Sequence, residues 1–134
     1  MNIVKPFDIA FQRSVEKHWD YIVVLVDIHD TIFEACWGNE ETFKYFPYAK
    51  ETLKRMSDRE DIKMVLWSSS YPEKLAEYIK KFEEDGIHFD YVNRFIAYNT
   101  RTGCFDDKMF FNVGIDNAFG FEPETDWEIL FNYL

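Results

Sequence analysis

A carboxylate, a histidine and a hydroxyl follow an apolar run in the stretch VVLVDIHDTIF, which spans residues 23–33. Asp27 comes directly after the apolar residues, and His29, Asp30 and Thr31 follow it in the same short segment. An uninterrupted apolar run of this kind is typical of a buried strand. A carboxylate at the end of such a strand can act as a nucleophile in group transfer. The stretch therefore predicts a catalytic loop after a strand.

Polar groups of complementary chemistry end two further apolar runs. VLWSSS brings Ser68 and Ser69, while VGIDN brings Asp116 and Asn117 and is preceded by Lys108. A nucleophilic carboxylate, a hydroxyl, an ammonium and a second carboxylate are the parts needed for phosphoryl transfer through an aspartyl-phosphate. Each residue taken alone has an ordinary interpretation, since Asp and Ser often cap turns and Lys is usually a solvated surface residue.

The elements that must position these residues are predicted from apolar periodicity and from Pro and Gly punctuation. A helix should begin at Pro72 and end before Gly86, and a capping box of Thr125 and Glu128 should start the last helix. Strands are expected at 21–26, 62–67, 87–92 and 110–116, and the other helices at 7–18 and 47–56. Alternating strands and helices indicate an open, three-layer α/β parallel sheet of the Rossmannoid kind, with helices on both sides. Ligands bind such sheets at the carboxyl ends of the strands.

These motifs, taken together and in this order, resemble those of the haloacid dehalogenase superfamily. VDIHDTI resembles the first motif of that family, whose usual form is DxDGT after a buried strand, and VLWSSS resembles the second. Lys108 and VGIDN resemble the third and fourth motifs, in which a lysine precedes an acidic pair. The resemblance covers nearly all of the chain. The length of 134 residues predicts one domain over residues 1–134, and the resemblance implies the fold of a small phosphatase.

The resemblance also implies a role for each matching residue. Asp27 would attack phosphorus, and Lys108 would neutralise the charge of nucleophile and phosphate. Phosphoryl oxygens would be bound by Thr31, Ser68, Ser69 and Lys108. The cofactor would be Mg²⁺, a cation that prefers oxygen ligands, held by Asp27, the backbone carbonyl of His29, Asp116 and the neighbouring Asn117. The expected activity is Mg²⁺-dependent hydrolysis of a phosphoester.

Two positions depart from the family pattern. His29 stands where the family has a second aspartate that protonates the leaving group and later activates water. Histidine exchanges protons near neutral pH and could take over this role; otherwise the site transfers phosphate slowly, or it only binds. Asp30 is a weaker candidate for the same role, because it lies one residue further along the loop. Asn117 replaces an acidic residue and removes a negative charge, so we expect weaker Mg²⁺ binding.

These departures keep two other interpretations open. The chain could be a catalytically reduced binding or regulatory module that keeps the fold and the metal. A receiver-like domain phosphorylated on Asp27 shares the same residue types, although such domains carry the acidic pair first. The segments between Ile32 and Pro47 and from Asn93 to Asp107 are too short for a cap domain. The site should therefore be open, unless the neighbouring subunit of a homo-oligomer supplies a lid.

Composition and charge exclude several classes of function. The chain of 134 residues is 47% hydrophobic, which excludes a disordered protein. Its net charge of −10 argues against binding to nucleic acid, which requires clustered basic residues. Cys36 and Cys104 have no metal-site spacing, and no apolar run is long enough to cross a membrane. We expect a cytoplasmic protein that acts on a phosphorylated substrate, with no role for His18 or His88.

Overall fold

The structure is a computed structural model that describes residues 1–34, 43–94 and 110–134. A four-stranded, all-parallel sheet with the strand order β3–β2–β1–β4 forms its centre. The strands are β1 (Ile22–Val26), β2 (Ile62–Leu66), β3 (Tyr91–Val92) and β4 (Val113–Ile115). The helices are α1 (Val4–Lys17), α2 (Ala49–Ser57), α3 (Pro72–Glu84) and α4 (Asp126–Tyr133), and a 3₁₀ turn spans Asn117–Phe119. The predicted α/β parallel-sheet fold is confirmed.

Strand β1 lies in the interior of the sheet, and all five of its residues are buried. It pairs with β2 in the register Ile22↔Ile62 and with β4 in the register Val24↔Val113. Continuous apolarity in the sequence therefore reflects a strand that is covered on both faces, as in other parallel sheets.

The two faces of the sheet carry different buried clusters, because successive side chains of a strand point to opposite faces. The larger cluster contains Ile22, Val24 and Val26 of β1 together with buried residues from every described helix, among them Phe7, Leu53, Phe82 and Trp127. The smaller cluster lies on the other face and contains Val23, Leu25, Val65 and Phe110. Both faces of β1 are thus closed to water.

Two predicted boundaries differ for reasons of backbone geometry. We expected Pro47 to open the second helix, but Tyr48 adopts a left-handed conformation with φ 65° and α2 begins at Ala49. The third strand was predicted over 87–92 and covers only Tyr91–Val92. Before it, the carboxylate of Asp90 accepts a hydrogen bond from the backbone N–H of Met64 at 2.9 Å. A side chain therefore satisfies a donor that the predicted strand would have paired.

The helices confirm some predicted ends and not others. α3 begins at Pro72 and ends before Gly86, as expected. α1 begins earlier than predicted, and it accommodates Pro6 in its first turn, where a missing backbone donor does no harm. The predicted capping box is wrong, since Thr125 makes no side-chain hydrogen bond as N-cap of α4. Instead, the buried carboxylate of Asp126 accepts from the backbone N–H of Glu122 at 2.8 Å.

Some predictions concern parts of the chain that are not described. Most of each segment expected to be too short for a cap domain lies at residues 35–42 and 95–109, outside the described ranges. Within those ranges, the helices lack the length and apolarity that crossing a membrane requires.

The two faces of α4 allow a matched test of the core. Leu130 is completely buried, whereas its neighbour Ile129 is 46% exposed. Leu130→Ala should lower the free energy of unfolding by about 2–5 kcal/mol, because it removes apolar contacts and leaves a cavity. Ile129→Ala should lower it by less than about 1 kcal/mol. Urea unfolding followed by circular dichroism measures both, and equal losses would contradict this placement of α4.

Candidate functional site

The polar residues that end the strands lie at one edge of the sheet. Beyond the paired residues of β1, the backbone N–H of Asp27 donates to the carbonyl of Ile115 at 3.0 Å, and the N–H of Trp67 donates to the carbonyl of Val26 at 2.8 Å. Continuing both registers by one residue places Asp27 between Asp116 on one side and Trp67 on the other. Neighbouring strands are about 4.8 Å apart, so these three residues form a contiguous row.

A tight turn after β1 orients the next residues. The carbonyl of Ile28 accepts hydrogen bonds from the N–H groups of Thr31, Ile32 and Phe33, at 3.3, 2.8 and 3.2 Å. Asp30 has a left-handed φ of 54°, and its N–H donates to the carbonyl of Phe33 at 3.0 Å. Aspartate tolerates this conformation better than most residues. After this turn the side chain of Thr31 is buried, whereas that of His29 is exposed.

Thr31 connects the turn after β1 to the turn after β4. Its hydroxyl donates to Oδ2 of Asp27 at 3.4 Å and accepts from the backbone N–H of Asn117 at 3.2 Å. The indole N–H of Trp127 donates to the carbonyl of Thr31 at 2.7 Å. We predicted that Thr31 contacts phosphate, but it is completely buried. Its hydroxyl already donates to Asp27 and accepts from Asn117. Its place in the structure is that of a residue that positions Asp27.

Burial and a neighbouring carboxylate determine the electrostatics of Asp27. Partial burial and then the negative charge of Asp116 raise the pKa of Asp27 to about 6 from an ordinary value of 3.8. The backbone N–H of Ile28, the charge of His29 and the hydroxyl of Thr31 oppose this rise. Asp116 holds its own position by accepting from the N–H of Ala118 at 2.9 Å, as N-cap of the 3₁₀ turn. A cation between the two carboxylates would relieve their repulsion.

His29 is exposed, and its ring is held by a tyrosine. Its Nε2 lies 3.0 Å from the hydroxyl of Tyr78, and the two rings meet edge to face with centroids 5.5 Å apart. Tyr78 belongs to α3 and is almost completely buried. Nothing in a local pattern signals a contact between residues 49 positions apart.

Ser68 is held by its neighbours at the end of β2. Its hydroxyl donates to the hydroxyl of Ser70 at 2.9 Å and accepts from the N–H of the same residue at 3.1 Å. The side-chain amide of Asn93 also binds the backbone of Ser68. It accepts from the N–H of Ser68 at 2.8 Å and donates to the carbonyl of Ser68 at 2.9 Å. Sequence analysis missed Asn93, although a polar residue directly after a strand was the signal used for Asp27. Ser69 is exposed beside this group.

Three residues discussed from the sequence cannot be placed. Lys108, Cys36 and Cys104 all lie outside the described residues. The structure therefore joins Asp27, Thr31, Asp116 and Asn117 by hydrogen bonds and strand pairing. It places His29 close enough for its charge to act on Asp27, and Ser68 and Ser69 at the same edge.

The oxygen donors at this edge fit a loosely held Mg²⁺ ion. Asp27 and Asp116 supply two carboxylates, and the carbonyl of His29 accepts no hydrogen bond from the described backbone. In the described ranges, no three His, Cys, Asp or Glu side chains form a cluster that could hold a metal. Mg²⁺ commonly uses one or two carboxylates, several waters and the phosphate of a substrate. The donor set therefore suits an ion that is held mainly when phosphate is present.

Comparisons with known proteins support the fold, whereas the chemistry is argued from the residues of the site. The solved structure of a conserved protein from Bacteroides thetaiotaomicron is similar, with 28% sequence identity and a TM-score of 0.63 over 84% of this chain and 88% of the other. No protein-family model matches the chain, and no curated protein does. The shared architecture over most of both chains agrees with the α/β parallel sheet described above.

The raised pKa of Asp27 predicts a pH-dependent effect of Asp27→Asn on stability. Between about pH 4 and pH 6 the unfolded chain loses this proton while the folded chain keeps it, so the carboxylate destabilises the fold increasingly as pH rises. In EDTA, Asp27→Asn should therefore have the same melting temperature as the natural chain near pH 4 and a higher one above about pH 6. Differential scanning calorimetry measures the difference, with exposed Asp20→Asn as the charge control. A melting temperature at pH 7.5 that is no higher than that of the natural chain would contradict the assignment.

Proposed function

We propose that this chain is a Mg²⁺-dependent phosphatase of the haloacid dehalogenase type that acts through an aspartyl-phosphate on Asp27. The observation that carries the proposal is the pair formed by Asp27 and Asp116. The two residues end adjacent parallel strands in register, and partial burial together with the charge of Asp116 raises the pKa of Asp27. A carboxylate pair at the carboxyl edge of an open α/β sheet is suited to bind a divalent cation and to present one oxygen to phosphorus.

The first half-reaction uses Asp27 as nucleophile. One carboxylate oxygen forms a bond to phosphorus, and the bond from phosphorus to the leaving-group oxygen breaks. Asp27 and Asp116 would hold Mg²⁺, which when bound would offset the negative charge of the phosphoryl group. Thr31 donates to Oδ2 of Asp27 and so restrains the rotation of the attacking carboxylate. The leaving alkoxide requires a proton as it departs.

His29 can supply that proton and later recover it. With Nε2 bonded to the hydroxyl of Tyr78, the other ring nitrogen, Nδ1, faces no described hydrogen-bond partner. In the imidazolium form, Nε2–H donates to the tyrosine oxygen and Nδ1–H donates to the leaving alkoxide. In the second half-reaction, Nδ1 accepts a proton from water as the water oxygen bonds to phosphorus. The bond from phosphorus to Asp27 then breaks and restores the carboxylate.

A binding or regulatory module remains the second candidate. Three features favour it: His29 in the acid/base position, Asn117 beside Asp116, and a Ser68 hydroxyl already bonded to Ser70. Such a module would bind Mg²⁺ and a phosphorylated ligand through the same carboxylates, without turnover.

Phosphate release from a panel of phosphoesters tests the proposal. We expect turnover in Mg²⁺ that is abolished by EDTA and falls to background in Asp27→Asn, which lacks the nucleophile. His29→Ala should reduce kcat by about 10²- to 10⁴-fold, the usual contribution of a general acid/base. Asp20→Asn, an exposed residue outside the site, should retain full activity.

The outcomes of this assay separate the two candidates. Turnover that persists in Asp27→Asn would contradict the proposed mechanism. If no ester turns over while calorimetry shows that Mg²⁺ binds to the natural chain and not to Asp27→Asn, the binding module is the correct interpretation.

The contact between His29 and Tyr78 predicts a positioning effect. Tyr78→Phe removes the hydroxyl that orients the imidazole, so kcat should fall about 3- to 10-fold with KM unchanged. Tyr71→Phe, at a position that is 79% exposed, provides the matched control. An unchanged kcat in Tyr78→Phe would contradict the role of the tyrosine.

A further inference from the structure

Asn93 lies directly after β3, at the edge of the sheet that carries the candidate site. Its backbone N–H donates to the carbonyl of Leu66 at 2.8 Å, which continues the pairing of β2 with β3 by one residue. Its φ of 51° is left-handed, a conformation that asparagine adopts more readily than most residues. The strand ends at Val92 for this reason. The backbone of Ser68, further along β2, therefore needs another partner on this side.

The side-chain amide of Asn93 supplies that partner. Its Oδ1 accepts from the N–H of Ser68 at 2.8 Å, and its Nδ2 donates to the carbonyl of Ser68 at 2.9 Å. A side-chain amide has the same kinds of donor and acceptor as a peptide group, so it can pair with a strand as a neighbouring backbone would. Both backbone groups of Ser68 are thus fixed by one side chain.

The hydroxyl of Ser68 is the group that the sequence predicts to bind a phosphoryl oxygen. Ser68 follows the residue that is paired with Asp27 across β1 and β2. Its hydroxyl donates to the hydroxyl of Ser70 at 2.9 Å and accepts from the N–H of Ser70 at 3.1 Å. A charged phosphoryl oxygen forms a stronger hydrogen bond than a neutral hydroxyl. It can therefore replace the Ser70 oxygen as acceptor, while the N–H of Ser70 continues to donate to Ser68.

We infer that Asn93 is a positioning residue for phosphate binding and that it acts through Ser68. This inference rests on the proposed phosphatase activity at Asp27. A fixed backbone at Ser68 limits the directions in which its hydroxyl can point, and a hydrogen bond weakens steeply with misalignment. Asn93 is exposed, so removing its amide leaves the buried core intact.

Asn93→Gly tests the inference, because glycine adopts a left-handed φ without strain and only the amide is lost. We expect KM for a phosphoester to rise about 3- to 10-fold, the range expected for a weakened hydrogen bond. The kcat should stay unchanged, because Ser68 donates to the phosphoryl group in the ground state and in the transition state alike. Asn112→Gly is the matched control. It removes an amide that accepts from the N–H of Val23, also at 2.8 Å, and it should leave KM unchanged.

A double-mutant cycle tests whether Asn93 acts through Ser68. Ser68→Ala should itself raise KM by about 10-fold or more, since it removes a hydrogen bond to a charged group. In the Ser68→Ala background, Asn93→Gly should change KM by less than about 2-fold, because the group that it positions is already absent. Effects of the two substitutions that multiply would overturn the inference. An unchanged KM in Asn93→Gly, or an equal rise in Asn112→Gly, would also overturn it.

Binding of inorganic phosphate separates this inference from the proposed function. If no ester is hydrolysed, the phosphatase proposal fails, and calorimetry with inorganic phosphate in Mg²⁺ then decides the inference. The Kd should be about 3- to 10-fold higher for Asn93→Gly than for the natural chain, and Asn93→Gly should add nothing in the Ser68→Ala background. Equal Kd values for Asn93→Gly and the natural chain, or no binding of phosphate to the natural chain, would overturn it.

Discussion

The pairing of β1 on both of its edges fixes the geometry of the candidate site. One ladder brings Asp27 beside Asp116, and the other brings it beside Trp67. A slip of either neighbouring strand by one residue would exchange the side chains of the two faces. A slip of β4 would remove the buried side chains of Val113 and Ile115 from the larger cluster and is therefore strongly disfavoured. The fold therefore holds two carboxylates together although their charges repel.

A chain of hydrogen bonds connects Asp27 to the helices of the core. Thr31 bonds to Asp27, and Trp127 bonds to the carbonyl of Thr31. The hydroxyl of Thr52 in α2 in turn donates to the carbonyl of Trp127 at 2.9 Å. Residues of α4 and α2 thus support Thr31, the residue beside the carboxylates. Asp27 is thus connected to the core by hydrogen bonds through Thr31, while His29 and Ser69 are exposed.

Much of the fold follows from local features of the sequence. β1 was predicted because five consecutive apolar residues precede Asp27, and α3 because Pro72 and Gly86 bracket a helical apolar face. All-parallel pairing then requires that the strand ends meet at one edge, which is why Asp27, Asp116 and Ser68 could be grouped in advance. These predictions succeeded because each rests on burial or on backbone conformation, which neighbouring residues largely determine.

The sequence by itself thus determined the sheet, its central strand and the carboxylates at its edge. Only the tertiary structure decided which groups restrain them: Tyr78 on the ring of His29, Asn93 on the backbone of Ser68, and Trp127 on the carbonyl of Thr31. These contacts join residues 49, 25 and 96 positions apart. A hydrogen bond depends on distances of a few tenths of an ångström and on direction, and such positions arise only when separate elements pack together.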